Sequence, residues 1–336
     1  MKAYAYVNRI SLDDLRSIEI PDPKPGPYDV VLRMQAAALN YRDLAIARGQ
    51  YHINVDPPLV PLSDGAGEVV AVGDQVTRLR VGELACPTYL PDWIDGPCNP
   101  AAIRRRLGGP NNGVLLELFC AHEEAVVRAP THLEPAEAAT LPVTAVTAWH
   151  SLYRLGNLRP SQTVVVLGSG GVSTTAVQIA KAGGARVISV TRSASKANQL
   201  REIGAHYVVT CGDSDEWPRQ VEEITGGDGA DVVVDVVGAG SLSRSIRALR
   251  MPGCVHLVGY AAGTSASFDI FDAIRHGVTI HVATAGNRSD FEALVRVFEQ
   301  HRIKPAVHKA FPVSEIHRAF EELATGGQFG KVVLTF

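Results

Sequence analysis

Residues 163–196, TVVVLGSGGVSTTAVQIAKAGGARVISVTRSASK, decide the fold. Val164–Leu167 is an unbroken apolar run, which suits a strand buried on both faces of a parallel sheet. Gly168, Ser169, Gly170, Gly171 and Val172 follow at once, and the glycines let backbone N–H groups come close to an anion. Val177, Ile179 and Ala180 then mark a helix whose positive end points back at the turn. Arg186–Val190 reads as a second strand. Ser173 stands at the third glycine position of G-x-G-x-x-G, where a small residue allows the helix to pack closely on the strand. Alone, such a fingerprint is weak. Its strand–turn–helix–strand setting predicts a phosphate-cradling turn in a doubly wound α/β domain.

The end of the second strand selects the dinucleotide. A carboxylate there would hold a ribose 2′-hydroxyl, and Thr191-Arg-Ser-Ala-Ser-Lys196 contains none. Arg192 and Lys196, with the hydroxyls of Ser193 and Ser195, suit a 2′-phosphate, since guanidinium pairs well with phosphate oxygens. The cofactor expected is NADPH; the alternative is a solvated basic loop.

At 336 residues the chain is long enough for about two domains of ~100–200 residues. A formal charge of −3 and the lack of a basic stripe argue against a nucleic-acid partner. No apolar run approaches the ~20 residues that span a bilayer, so no membrane partner is expected. Met1–Val7 reads as a strand, not as a secretory leader. Five scattered cysteines, an odd number without C-x-x-C, argue against a disulfide framework and for a cytoplasmic setting.

Residues 1–125 are strand- and turn-rich, with short strands expected at Val30–Met34, Gly67–Val72 and Gly82–Ala85. Beyond them strands and helices alternate. Helices are expected at Lys196–Ile203, Trp217–Thr225 and Leu242–Leu249, and strands at Tyr207–Thr210, Asp231–Val237 and Val255–Val258. That alternation implies a parallel sheet with helices on both faces. The alternation runs from about residue 140 to 284, and the last segment closes on a strand at Lys331–Thr335. Pro87–Gly113 is a long proline- and glycine-rich stretch. Its Arg104-Arg105-Arg106 run reads as a solvated helix face or as a patch on a lid over the substrate.

Taken together, the chain resembles the medium-chain dehydrogenase/reductase superfamily, in its zinc-free, quinone oxidoreductase-like branch. The resemblance covers nearly the full length. It rests on Ala38-Leu-Asn-Tyr-Arg-Asp43, Arg48-Gly-Gln-Tyr51, Pro61-Leu-Ser-Asp-Gly-Ala-Gly-Glu-Val-Val70, Leu141-Pro-Val-Thr-Ala-Val-Thr-Ala-Trp149, the glycine turn and Phe329-Gly-Lys331. It implies a chaperonin-10-like β-barrel domain, 1–125 with 285–336, and an inserted Rossmann dinucleotide-binding domain at 126–284.

The positions matching the catalytic zinc ligands of relatives are Asn40, Ser63, Asp64 and Val143, which lack the thiolates and imidazole that zinc prefers. No metal is expected. Without a Lewis acid, alcohol oxidation is hard. Hydride transfer to a quinone or an α,β-unsaturated carbonyl needs only hydrogen-bond donors at the carbonyl oxygen.

The resemblance implies that Asn40 holds that oxygen, with Tyr41 as a possible proton donor and Asp43, Ser63 and Asp64 around the site. Thr147 stands where relatives contact the nicotinamide. Lys331, after Phe329 and Gly330, matches a residue that reaches cofactor phosphates. Val237–Gly238 and Gly259–Tyr260 end parallel strands at the carboxyl edge, where a dinucleotide lies. The expected function is a zinc-independent NADPH reductase of quinones or activated alkenes, acting on a small molecule. The alternatives are a metal-free alcohol or carbonyl oxidoreductase and an idle NADPH-binding scaffold. A homodimer is expected through Val278–Ala283, whose β-branched residues favour an exposed sheet edge.

Overall fold

The apolar run that opens the glycine unit is an inner strand of a parallel sheet. In the computed structural model, which describes residues 1–52, 54–211 and 216–336, Thr163–Leu167 is buried throughout and paired on both sides. The sheet has six strands in the order Tyr207–Thr210, Arg186–Thr191, Thr163–Leu167, Ala230–Asp235, Leu249–Leu257, Thr279–Val282, all in parallel pairs. Strands later in sequence lie on both sides of Thr163–Leu167, so the winding direction switches there. Dinucleotides bind doubly wound sheets at such a point. Helix Gly171–Ala182 packs Val177, Ile179 and Ala180 into the core without exposure.

These elements form the unit Thr147–Thr284; the other unit is Met1–Val146 with Ala285–Phe336. The latter is built on a seven-stranded sheet. Its neighbours in order are Val307–Pro312, Lys331–Thr335, Asp29–Ala38, Asp64–Val72, Leu84–Pro87 and Val126–Arg128, and Leu118–His122 also pairs with Asp29–Ala38. The first pair is parallel and the rest are antiparallel. Leu32, Leu39, Leu59, Leu62, Leu115, Phe320 and Leu334 fill its core, each such side chain contributing ~1.5–3 kcal/mol by leaving water.

One difference from the sequence reading has a simple cause. Val126–Arg128 pairs with Leu84–Pro87, Cys86 opposite Val127, so 126–146 joins the first unit and the boundary falls at 147. Leu141–Ala145 and His150–Leu155 are wound as π-helix around a short α-helical turn, Val146–Trp149. Helical periodicity in sequence carries no mark of such widening, which is frequent at functional sites. The segment expected at an edge, Val278–Ala283, does lie there: Thr279–Val282 pairs only with Leu249–Leu257 among the described residues. No helix among the described residues is long and apolar enough to cross a membrane.

Candidate active site

Strand register brings Asn40, Asp64 and Lys331 together. Ala38 pairs with Asp64 on one side and with Val333 on the other, so the residues at these three strand ends meet. Lys331 Nζ donates to Asp64 Oδ2 at 2.9 Å and to Asn40 Oδ1 at 2.5 Å, and Asn40 Nδ2 donates to Asp64 Oδ2 at 2.9 Å. The Val143 N–H donates to Asp64 Oδ1 at 2.7 Å. All three side chains are buried, Asn40 retaining 7% exposure. Burial pushes the Asp64 carboxyl up, against the opposing charge of Lys331 and the hydrogen bonds it accepts. Three donors converging on its two oxygens are an arrangement for the anion.

This network fixes the Asn40 amide. An ammonium has only donors, so the amide atom facing Lys331 must be oxygen, which leaves the NH2 as the donor. Asp64 takes one of its N–H groups. Gly330 makes the approach of Lys331 possible: its φ is +83°, and a β-carbon there would collide with the Ala306 carbonyl. Lys331, expected to reach cofactor phosphates, donates its ammonium to Asp64 and Asn40.

The remaining candidates of this unit fall into different roles. Asp43 accepts the Asn40 backbone N–H at 2.8 Å, closing the start of helix Tyr41–Ala47, and lies 3.6 Å from the buried Arg42 guanidinium. Burial raises its carboxyl to about 6, against the opposing charge of Arg42. The Ser63 hydroxyl, expected to act in the site, is taken up in structure: Arg42 Nη1 donates to it, and it donates to the Leu107 carbonyl at 3.0 Å. Arg42 also donates to the carbonyls of Leu107 and Gly109 at 3.1 and 2.9 Å, so it pins the long 87–113 loop. Tyr41 is 44% exposed. Phe329 donates its backbone N–H to His308 Nδ1 at 3.4 Å.

A zinc ion does not fit the residues aligned with zinc ligands. Val143 has no side-chain donor atom, Ser63 is engaged, and Asp64 faces an ammonium that would repel a divalent cation. No group of three or more His, Cys, Asp or Glu able to hold a metal occurs among the described residues.

In the Thr147–Thr284 unit the glycine turn is open for a phosphate. Gly168 has φ +78°, and Gly170, which begins the helix without a side-chain cap, has no atom within 4 Å of where a β-carbon would stand. Uncapped N–H groups at a helix start are anion donors. Ser173 is fully buried and its Oγ donates to the Leu167 carbonyl at 2.7 Å, tying helix to strand as the third glycine position requires.

Lys196 Nζ donates to Ser169 Oγ at 3.1 Å, which brings the basic loop to the turn. Burial, and then the nearby charge of Arg192, holds the Lys196 ammonium below its ordinary value. Ser193 and Ser195 hydroxyls lie 2.8 Å apart beside them. At the carboxyl edge, Val237 and Gly238 donate their N–H groups to the buried Asp235 at 2.9 and 3.0 Å, and Ser241 and Ser245 add hydroxyl donors at 2.7 Å. Gly238, φ +88°, packs against the Gly259 carbonyl, with Tyr260 next in chain. Asp235 was missed; the signal was a carboxylate directly after the apolar run Val232–Val234. Thr147 is buried, and Trp149 packs on Tyr153 with ring centres 4.4 Å apart.

Known proteins resemble the chain along its length. Residues 26–131 match the family model described as the alcohol dehydrogenase GroES-like domain, and 171–300 that described as zinc-binding dehydrogenase. A zinc-type alcohol dehydrogenase-like protein of Schizosaccharomyces pombe is 34% identical over 322 residues, 94% of this chain and 93% of that one. An acryloyl-coenzyme A reductase of Metallosphaera sedula is 31% identical over 325 residues, 94% and 95% of the two chains. The solved structure of an NAD-dependent alcohol dehydrogenase superposes with a TM-score of 0.90 at 30% identity, covering 100% of both chains.

Proposed function

The chain belongs to the medium-chain dehydrogenase/reductase superfamily and is an oxidoreductase, and on that premise we propose that it is a zinc-independent, NADPH-dependent reductase of quinones or α,β-unsaturated carbonyl compounds. The observation that carries this reading is Lys331 on Asn40 and Asp64. Where relatives would need thiolate and imidazole for a metal, this chain supplies its own cation, and that cation holds the Asn40 amide by its oxygen.

Gly168, Ser169, Gly170, Gly171 and Val172 would hold the pyrophosphate, and Arg192, Ser193 and Lys196 the 2′-phosphate. Thr147, Val237, Gly238, Gly259 and Tyr260 would line the rest of the cofactor. Reduced nicotinamide, when bound, supplies a hydride. We assign the second Asn40 N–H to the substrate carbonyl oxygen, where negative charge develops as the conjugated double bond is reduced. Lys331 strengthens that donor by withdrawing electron density through Oδ1, and Asp64 keeps the amide from rotating. The acryloyl-coenzyme A reductase name of one relative supports reduction of a conjugated alkene.

Pairing of two copies through Thr279–Val282 is part of the proposal. Val282 is 70% exposed on this edge, and helix Ile270–Arg275 in the same unit exposes Ile270, Phe271 and Ile274 by 63–77%. Two edges related by a two-fold axis would close one sheet across both chains. All five cysteines are free, which supports the cytoplasmic setting.

The test is NADPH consumption with a quinone, an enone and an aldehyde. Turnover of quinone or enone well above aldehyde supports the reading. Preferential aldehyde turnover would assign a metal-free carbonyl oxidoreductase, and no turnover of any would assign a binding protein.

A further inference from the structure

The Arg104-Arg105-Arg106 run is divided by the fold. Arg104 and Arg105 are exposed, Arg105 pairing with Asp92 at 3.2 Å, whereas Arg106 is only 5% exposed. Its Nη1 reaches Tyr51 Oη at 3.4 Å, it bonds the Tyr89 side chain, and its Nε has no partner. No ion pair to Arg106 occurs among the described residues. A buried guanidinium is ordinarily matched by a carboxylate, since desolvating an uncompensated charge is costly.

The neighbourhood offers no such match. Arg42 lies over the same Tyr51 ring, 5.2 Å from its centre against 5.8 Å for Arg106, and 5.0 Å over Tyr89. The buried carboxylate beside them, Asp43, is already spent on Arg42 and on the helix start. Tyr89 supplies no negative charge, because burial pushes its phenol up to about 12. Burial, and then the positive charges of Arg106 and Arg42, holds the His52 imidazole below its ordinary value. Two guanidiniums thus share an aromatic lining in which the nearby carboxylate pairs with Arg42, and Arg42 joins this cluster to Ser63.

We propose that Arg106 is a binding residue for a carboxylate carried by the substrate, so that the reducible compound is an unsaturated carbonyl bearing an acidic group. A flat guanidinium matches a carboxylate edge to edge, and the Tyr51 and Tyr89 rings suit the flat conjugated body next to it. The inference rests on the reductase reading given above and adds the charge of the substrate to it.

The test compares 3-benzoylacrylate with its neutral amide, two enones that differ in that charge. In the parent protein kcat/KM for the carboxylate exceeds that for the amide by ~10–100-fold, the range of one charged hydrogen bond. In Arg106→Gln the ratio falls toward one, and in Arg106→Lys it recovers in part. A ratio near one in the parent, or an unaltered ratio in Arg106→Gln, overturns the proposal. Calorimetric titration with the saturated acid, 3-benzoylpropanoate, and its amide reads the same preference without turnover. Preferential binding of the acid without reduction of any enone keeps the anion site and overturns the reductase reading. Reduction without preference does the reverse.

Discussion

Lys331 Nζ lies 2.9 Å from Asp64 Oδ2, an ion pair between residues 267 positions apart, with side-chain exposures of 5% and 0%. Removing one member leaves the other charged and buried. Lys331→Met should therefore cost ~3–5 kcal/mol of unfolding free energy, and adding Asp64→Leu should restore part of it. Urea denaturation of the two variants checks this. A double variant less stable than Lys331→Met would show that Asp64 has a stabilising role independent of Lys331.

Arg192→Ala and Lys196→Ala should each weaken NADPH binding by ~10-fold or more, since a charged hydrogen bond to phosphate is worth ~1.5–3 kcal/mol. NADH binding should be spared. Fluorescence titration of both cofactors reads this, and equal affinity of the parent for NADPH and NADH would refute the 2′-phosphate assignment.

Asp43 gives stability a pH dependence of defined sign. Its folded value, raised by burial to about 6, lies above the ordinary 3.8. The folded state therefore holds this proton more tightly than the unfolded chain. The contribution is complete at low pH and is lost as pH rises through the window between these values. Asp43→Asn does not titrate, so its stability relative to the parent should increase from about pH 4 to about pH 6. A constant or shrinking difference in denaturation midpoints would contradict the assignment.

Val282→Lys places a charge on the exposed sheet edge and should convert a dimer to a monomer, because a lysine on an edge strand opposes edge-to-edge pairing. Light scattering over a range of concentrations decides it. A parent that is monomeric throughout, or a variant that stays dimeric, would remove this edge as the interface.

Much of the fold was legible because it is governed by local pattern. Strand Tyr207–Thr210, helix Trp217–Thr225 and strand Lys331–Thr335 fall where apolar runs and flanking turn residues put them. The boundary near 126 was misplaced because Val126–Arg128 is held by pairing to Leu84–Pro87, a partner some forty residues away that no local pattern names. The site was legible as a set of positions and much less as a set of roles. Asn40 and Asp64 could be picked from their motifs, yet their link to Lys331 depends on the register of three strands. Ser63 was assigned to chemistry because nothing near it in sequence reveals Arg42 and the Leu107 carbonyl, which engage its hydroxyl. Asp235 gathers donors from a turn that only the folded sheet brings to it.

We propose that the Asn40 amide, oriented by Lys331 and unaided by a metal, stabilises charge on the substrate carbonyl. The most direct measurement is enone reduction by NADPH in parent and Asn40→Ala proteins after chelator treatment, with metal content determined by elemental analysis. The metal-free parent should keep full activity, and Asn40→Ala should lower kcat by ~10²–10³ with NADPH affinity little altered. Loss of parent activity on chelation and its return with zinc would contradict the account, as would full enone turnover by Asn40→Ala.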